Sequence, residues 1–393
     1  MRTRVAIIGS GPAGLLLSQL LDRAGIESVL VERQSADHVK SRIRAGILES
    51  ATVELLRRAG VGERLSREAI EHRGIYLQWP GERRHLDFAA LAGRSVYVYG
   101  QTEVTKDLLE ARTRAGQQAY YEVSDVAVHD VATDRPHITF TDAGGAPQRV
   151  DAEAVVGCDG YHGPSKQAVP QRLRRTWERS YPYAWLGVLA EVPPSTDELI
   201  YAWHPEGFAL HSMRSDRVSR FYLQVDPAER IEEWSDDRIW EQLSTRLGVD
   251  GWTLRTGPIT EKSVLPMRSF VTAPMRHGRL FLAGDAAHIV PPTGAKGLNL
   301  AVADVAVLAR ALTALLRDGA SELADAYSDT ALRRVWRCTH FSWWMTSMLH
   351  RHGDDFDARL QLAQLHRVVE SPSAARELAE NYAGLPIPGG DHG

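Results

Sequence analysis

Cysteine is nearly missing from this chain of 393 residues, which holds only Cys158 and Cys338. Two thiols are too few for a disulfide framework or a zinc cluster, so no metal site is expected and a reducing, cytoplasmic setting fits. Long apolar runs are missing too. None reaches the roughly 18 residues of a membrane span, and Met1-Arg2-Thr3-Arg4-Val5 leads into a short strand rather than a signal-peptide core. No membrane partner is expected. Charge of one sign is scarce: the formal net charge of -4 gives no basic excess for nucleic acid. Neither internal repeats nor low-complexity tracts occur. What remains, 44% hydrophobic and 24% charged residues, is the profile of a globular chain long enough for two or three packed units.

The opening predicts strand, turn, helix, strand. Val5-Ala6-Ile7-Ile8 is an unbroken apolar run of the kind buried on both faces of a parallel sheet. Gly9 to Gly14 makes the turn, Leu15 to Ala24 a leucine-rich helix, and Ser28 to Glu32 the second strand. Two later strand-like segments, Ala154-Val155-Val156 and Arg279 to Leu282, run into Gly157-Cys158-Asp159-Gly160 and Ala283-Gly284-Asp285-Ala286. Glycine and aspartate at a strand's carboxyl end mark the ligand edge of an open α/β sheet. Between about residues 180 and 265, the alternation at 198–203, 208–214 and 219–225 predicts a separate antiparallel sheet. Helices are predicted over 300–316 and 323–348, and the tail around Pro386, Pro388 and Gly389 is expected to fray. The fold class is therefore α/β, a Rossmann-like unit with an antiparallel-sheet unit and a helical C-terminal region.

Gly9-Ser10-Gly11-Pro12-Ala13-Gly14 matches G-x-G-x-x-G: Gly9 for the tight turn, Gly11 for close approach of a pyrophosphate, Gly14 for helix–strand packing. Glu32 ends the next strand at the spacing of a ribose-hydroxyl acceptor, and the helix N-terminus offers free N–H groups to phosphates. These features predict a dinucleotide. A second Gly-Asp turn, Gly284-Asp285, followed by Pro291-Pro292-Thr293-Gly294-Ala295-Lys296-Gly297-Leu298-Asn299, is not needed by an NAD dehydrogenase. At these residues the chain resembles the single-component FAD-dependent aromatic hydroxylases. Asp159 in the Cys-Asp-Gly stretch matches the family's remaining shared motif, linked to both FAD and pyridine nucleotide.

The likeness runs end to end and is densest over 42–48, 99–105, 278–301 and 341–347. It implies an FAD-binding unit at 1–178 to which 267–300 return, a substrate-binding sheet at 179–266, and a helical interface region at 301–393. It further implies NADPH or NADH as electron donor, O₂ as co-substrate, and 4-hydroxybenzoate hydroxylated at the 3-position through a flavin C4a-hydroperoxide. A homodimer is implied as well, with Phe341-Ser342-Trp343-Trp344-Met345 read either as its face or as core.

The substrate residues can be weighed physically. Ser212 and Arg214 lie two apart on one strand, Arg220 and Tyr222 two apart on the next, so each pair shares a face. A three-residue loop at 216–218 would set Ser212 opposite Tyr222 and gather a guanidinium fork with two hydroxyls, which suits a carboxylate. Spacing alone favours a plainer reading, a surface arginine beside ordinary strand polars. The resemblance reverses that preference, because Ser212, Arg214 and Tyr222 match the family's carboxylate-binding trio. Tyr201 and Tyr382 match the tyrosines that contact the substrate phenol and pass on its proton, with His72 at the solvent end of that relay and the Pro292 carbonyl as a partner of the substrate hydroxyl. Taken alone, each tyrosine would more often be core and His72 a surface residue.

The resemblance assigns FAD contacts to Arg44, Gln101 and Arg220, and to the backbone of Gly297, Leu298 and Asn299. It assigns nicotinamide-cofactor contacts to Arg33, Gln34, Arg42, His162 and Arg268. His38, Lys40 and Lys166 depart from the family pattern but keep the region basic, which leaves both NADPH and NADH open. Ala13 stands where the family often has serine, and FAD binding is expected to survive that change. Two competing readings are a sister hydroxylase acting on 3-hydroxybenzoate, 4-aminobenzoate or salicylate, and a non-catalytic flavin-binding redox sensor.

Overall fold

Four apolar residues in a row, all buried, make Val5–Ile8 the centre of a six-stranded sheet. Its order is Arg276–His277, Leu280–Leu282, Ala154–Gly157, Val5–Ile8, Ser28–Val31, Ala119–Tyr120, and all neighbours are parallel except the first pair. Helices Pro12–Arg23 and Gly297–Thr313 pack together in the same apolar core as these strands. The structure, a computed structural model, describes residues 1–41 and 46–387.

A second sheet has eight strands: His288–Ile289, Ile259–Ala273, Arg175–Ala190, Ser219–Val225, Ala209–Met213, Leu199–Ala202, Gly74–Trp79, Glu82–Asp87. Strict alternation gives it two unlike faces. Ala184, Leu186, Val188, Ile200, Phe221 and Leu223 point one way and bury helix Asp236–Leu247 through Ile239, Leu243 and Leu247. Trp185, Tyr201, Leu210 and Tyr222 point the other way, into a core shared with helices Tyr327–Leu349, Asp355–Glu370 and Pro372–Ala383. That second face holds the candidate site.

Several expectations shift. The large sheet is not confined to 179–266, because Gly74–Trp79 and Glu82–Asp87 join it from within the first 178 residues and Ile259–Ala273 runs on past 266. The expected helix over 323–348 is two pieces, Glu322–Asp325 and Tyr327–Leu349. The turn between the Ala209–Met213 and Ser219–Val225 strands is longer than read: Met213 pairs with Ser219, so Ser212 faces Arg220 and Leu210 faces Tyr222. The slip is two residues. Side-chain parity in a strand has period two, so the faces survive it.

Helix Gly297–Thr313 and its continuation to Asp318 form a 22-residue stretch containing an 18-residue window of mean hydropathy 1.7, enough by length and composition to cross a membrane. Asp304 and Arg310 interrupt its apolar run in the sequence. In the fold 61% of the apolar window is buried, as for a core helix.

Candidate active site

The glycine motif is built by contact rather than by flexibility. A Cβ on Gly14 would stand 2.0 Å from the Gly9 carbonyl oxygen, and one on Gly9, which has φ +103°, would stand 2.3 Å from the Cys158 carbonyl oxygen. Both contacts are backbone, so neither can yield. Gly14→Ala is therefore expected to cost at least about 2 kcal/mol by overpacking, to lower the melting temperature and to leave the purified protein without its flavin absorbance.

Gly11 differs: nothing lies within 4 Å of where its Cβ would be, and it is the N-cap of helix Pro12–Arg23. Glu32 closes the motif, accepting from the Ser10 amide at 2.7 Å, the Ser10 hydroxyl at 3.0 Å and the Gln34 amide at 2.8 Å. At the second sheet edge Gly284 has φ +62°, its amide donates to Asp304 at 3.0 Å, and His288 Nε2 lies 2.5 Å from the same carboxylate oxygen. Asp285 is exposed beside it. Gly297 again has nothing within 4 Å of a Cβ, and Gly297, Leu298 and Asn299 are the first three residues of their helix, whose amides precede its first internal bond, from Leu300 to Lys296. The Asn299 side chain is spent on structure, joining Glu49, Thr52, Ile47 and Ala295. That leaves its backbone for a ligand.

These residues fit FAD. Two glycine cradles open onto space that a Cβ would fill, and helix N-termini stand at both. Asp159 Oδ1 and Arg220 Nη1 are buried polar atoms without a hydrogen-bond partner among the described residues, and burial raises the Asp159 pKa. Gln101 begins the helix Gln101–Arg114. Arg42 and Arg44, assigned to cofactor contacts, lie outside the described residues.

On the site face of the large sheet, Tyr201 pairs with Leu210, Leu210 with Tyr222 and Ser212 with Arg220, so the five side chains share one face. The Tyr201 and Tyr382 hydroxyls are 2.6 Å apart in a buried hydrogen bond, with ring planes at 85°. Burial pushes both phenols well above the usual tyrosine value, so both are neutral at pH 7. The Arg220 guanidinium carbon is 5.1 Å from the Tyr222 ring centre. Burial first, and then the neighbouring Arg220, lower the Arg214 pKa to about 10, which leaves it charged. Two guanidiniums beside two hydroxyls suit a carboxylate. Ser212 donates to the Arg220 carbonyl at 3.1 Å, and its lone pairs remain. The Pro292 carbonyl accepts the Ala295 amide at 2.9 Å and retains a second lone pair.

Some of the site was not anticipated. Lys296 is 2% exposed; its Nζ donates to Glu49 at 2.6 Å and to the Tyr382 carbonyl at 2.9 Å, while Arg334 reaches the other Glu49 oxygen at 3.2 Å. Two cations share one carboxylate under the tyrosine pair, a net positive charge that favours a phenolate nearby. Lys296 stood inside the quoted Pro-Pro-Thr-Gly-Ala-Lys-Gly segment, but burial carries no sequence signal for a lone lysine. Gly187 lies opposite Tyr222, whose ring would be 3.2 Å from a Cβ there, so the glycine lets that ring lie across the sheet.

His72 corrects an expectation. It is 0% exposed rather than at solvent, and neither ring nitrogen has a hydrogen-bond partner among the described residues. Burial lowers its pKa to about 4, and that of His211 and His350 to about 3. An imidazole whose folded pKa lies below its unfolded value opposes folding once the unfolded chain begins to bind protons. Stability should therefore be intact above pH about 6.5 and fall on acidification from there toward about 4.5, before carboxylates titrate, by about 1.4 kcal/mol per pH unit for each of the three. Melting temperatures measured from pH 7.5 to 4.5 check this; a flat profile would contradict the three buried neutral histidines.

Two of the nicotinamide candidates, His162 and Arg268, gather elsewhere together with Lys166, whereas Arg33 is exposed beside Gln34 and Arg42 lies outside the described residues. Tyr161, not singled out in the sequence, sits between them: edge-on to His162 at 4.9 Å, 4.6 Å from the Arg268 guanidinium and 4.9 Å from Lys166 Nζ.

Known proteins resemble this chain over most of its length. The family described as "FAD binding domain" matches residues 2–342. The chain is 52% identical over 390 residues, 98% of its length and 96% of the relative's, to the p-hydroxybenzoate hydroxylase of Acinetobacter baylyi. A probable NADH-specific resorcinol 4-hydroxylase of Rhodococcus jostii is 26% identical over 82% of this chain and 61% of its own length. Among solved structures, the p-nitrophenol 4-monooxygenase of Pseudomonas putida superposes with a TM-score of 0.82 at 21% identity, over 98% of this chain and 100% of that one, which bears on fold alone. The chain belongs to the single-component FAD-dependent aromatic hydroxylases.

Proposed function

We propose that the protein hydroxylates 4-hydroxybenzoate to 3,4-dihydroxybenzoate, consuming one O₂ and one NAD(P)H and releasing water. The observation that carries this reading is the buried Tyr201–Tyr382 pair at 2.6 Å, on the face that also holds Ser212, Arg220 and Tyr222. A carboxylate at one end and a phenol at the other describe a para-substituted benzoate. The relative named p-hydroxybenzoate hydroxylase, at 52% identity, supports the same substrate.

FAD, when bound, takes two electrons from NAD(P)H and activates O₂. The chain's residues do the rest. Arg214, Ser212 and Tyr222 hold the carboxylate, the Pro292 carbonyl and Tyr201 meet the phenol, and Tyr201 draws its proton toward Tyr382. A phenol that moves toward phenolate has an electron-rich ring, and the excess cation at Lys296, Arg334 and Glu49 stabilises that charge. His72, which the resemblance sets at the far end of this relay, is buried and neutral at pH 7, so it can hand a proton on but does not hold one. Burial of the whole face keeps water from the activated oxygen.

The nearest competing reading, a sister hydroxylase for salicylate, leaves the tyrosine pair without a para-phenol to serve. A redox sensor has no use for an acid fork and a phenol relay together. NAD(P)H oxidation stimulated by 4-hydroxybenzoate, with 3,4-dihydroxybenzoate formed one for one, is the expected result; stimulation by salicylate or 3-hydroxybenzoate instead would reassign the substrate. Running that assay with NADH and with NADPH decides the donor, for which Arg33, Gln34, His162 and Arg268 are the candidate contacts.

The FAD role is assigned to residues 1–178 with 267–300, and the substrate role to 179–266 completed by Tyr382. The 301–393 region is assigned to a homodimer interface. Trp336 and Trp343, seven apart on one helix face, are both exposed, and Trp177 packs edge-on to Trp336 at 5.3 Å. Sedimentation should give a dimer, and a monomer at micromolar concentration would contradict it. Cytoplasmic location is proposed on two cysteines that are both free.

A further inference from the structure

One wall of the pocket is braced by a hydrogen-bond chain that the reading above leaves unused. The Trp185 ring packs on Tyr222, with centroids 4.5 Å apart and planes at 42°. Its indole nitrogen donates to His350 Nε2 at 2.6 Å. His350 Nδ1 lies 3.0 Å from the Thr346 carbonyl, one turn back at the end of helix Tyr327–Leu349. A carbonyl can only accept, so the imidazole proton is on Nδ1 and Nε2 is the lone pair that the indole needs. Burial pushes the His350 pKa down to about 3, which keeps that lone pair available at neutral pH.

The chain continues to the other end of the pocket. The Thr346 hydroxyl is 2.6 Å from the Ser342 carbonyl and 2.9 Å from the Thr293 hydroxyl. Thr346 has a single hydroxyl proton; if it goes to Ser342, Thr293 is the donor in the second bond. Thr293 follows Pro292, whose carbonyl is assigned to the substrate phenol. Trp185, His350, Thr346, Ser342 and Thr293 are all buried. An imidazole stacked among Tyr183, Phe208 and Trp185 is a poor filler of apolar space, since leucine or phenylalanine would fill it without a polar atom to satisfy. What imidazole adds is a fixed direction for the indole.

We propose that His350 and Thr346 are positioning residues for the hydroxylation. They orient Trp185 against Tyr222 at the acid end and hold Thr293 beside Pro292 at the phenol end, and so set the pocket's span to one para-substituted benzoate. This rests on the reading under Proposed function.

The test uses the FAD-loaded enzyme with 4-hydroxybenzoate. His350→Leu leaves a buried indole N–H unpaired and should raise KM about tenfold, with product per NAD(P)H falling and maximal NAD(P)H oxidation held within about twofold. His350→Gln, whose side-chain oxygen can accept the indole N–H, should return KM to within about threefold of wild type. In a Trp185→Phe background both partners are apolar, and adding His350→Leu should change KM by less than about twofold. Thr346→Val, which keeps the volume and loses the hydroxyl, should lower product per NAD(P)H by at least about twofold even if the His350 variants do not fold. A fall in melting temperature with wild-type KM and coupling would overturn the proposal, as would an equal His350→Leu effect with and without the Trp185 indole. Failure of the wild-type enzyme to hydroxylate 4-hydroxybenzoate would contradict the substrate reading instead, and is read from the wild-type control.

Discussion

Arg214→Ala is expected to raise the dissociation constant for 4-hydroxybenzoate at least about a hundredfold while FAD stays bound. Breaking a buried ion pair from one side costs about 3–5 kcal/mol, because the remaining charge is left in a poor solvent. Here the remaining charge would be the substrate carboxylate. Burial and the like charge of Arg220 already lower the Arg214 pKa to about 10, so this part of the pocket gains by admitting an anion. A Cβ on Gly100 would stand 3.4 Å from Arg214 Nη1, so the guanidinium lies against backbone as well as against the pocket. Titrating the flavin spectrum with 4-hydroxybenzoate measures the effect. An unchanged dissociation constant would remove Arg214 from substrate binding.

Tyr201→Phe should separate the two halves of the reaction. Hydroxylation is expected to fall by about 10²–10⁴, the range for loss of a positioned proton-transfer group. NAD(P)H oxidation continues, and its electrons appear as hydrogen peroxide. The cause is geometric: the Tyr201 hydroxyl is held 2.6 Å from Tyr382, and no other hydroxyl bonds Tyr382 among the described residues. Phenylalanine keeps the ring and its packing near Phe208, so binding should change little. Peroxide and product assayed in one reaction check it, and full coupling in the variant would contradict the relay.

The parts of this molecule that a sequence can express are those set by short-range periodicity. Val5–Ile8 and the strands at 199–202, 209–213 and 219–225 were legible because burial on one or two faces writes itself as apolar runs or alternation. Gly9 and Gly14 were legible because only glycine tolerates a backbone oxygen at that distance. The register of Ser212 was not, because turn length is set inside the turn itself, where the Val218 carbonyl accepts the Arg214 amide at 2.8 Å and the Ser215 amide at 3.2 Å. The hairpin Gly74–Trp79 and Glu82–Asp87 joins the substrate sheet only through its parallel neighbour Leu199–Ala202, more than a hundred residues away, and local pattern cannot reveal that. His72 and Lys296 were misjudged or passed over for one reason: polar residues announce neither their burial nor their partners.

The substrate trio and the tyrosine pair owed more to resemblance than to spacing, and the structure adds the physical content. Five side chains fall on one sheet face, burial and the neighbouring Arg220 lower the Arg214 pKa, and the helical C-terminal region brings Tyr382 back across 181 residues to Tyr201. Gly187 and Trp185 complete the wall around Tyr222, and neither type of residue signals such a role by itself.

The most direct test of the whole account is the fate of molecular oxygen. With FAD-loaded enzyme, NAD(P)H, 4-hydroxybenzoate and ¹⁸O₂, the account predicts 3,4-dihydroxybenzoate carrying one ¹⁸O atom, formed in equal amount to the NAD(P)H consumed. Unlabelled product, or NAD(P)H oxidation that yields only peroxide in the wild-type enzyme, would contradict it.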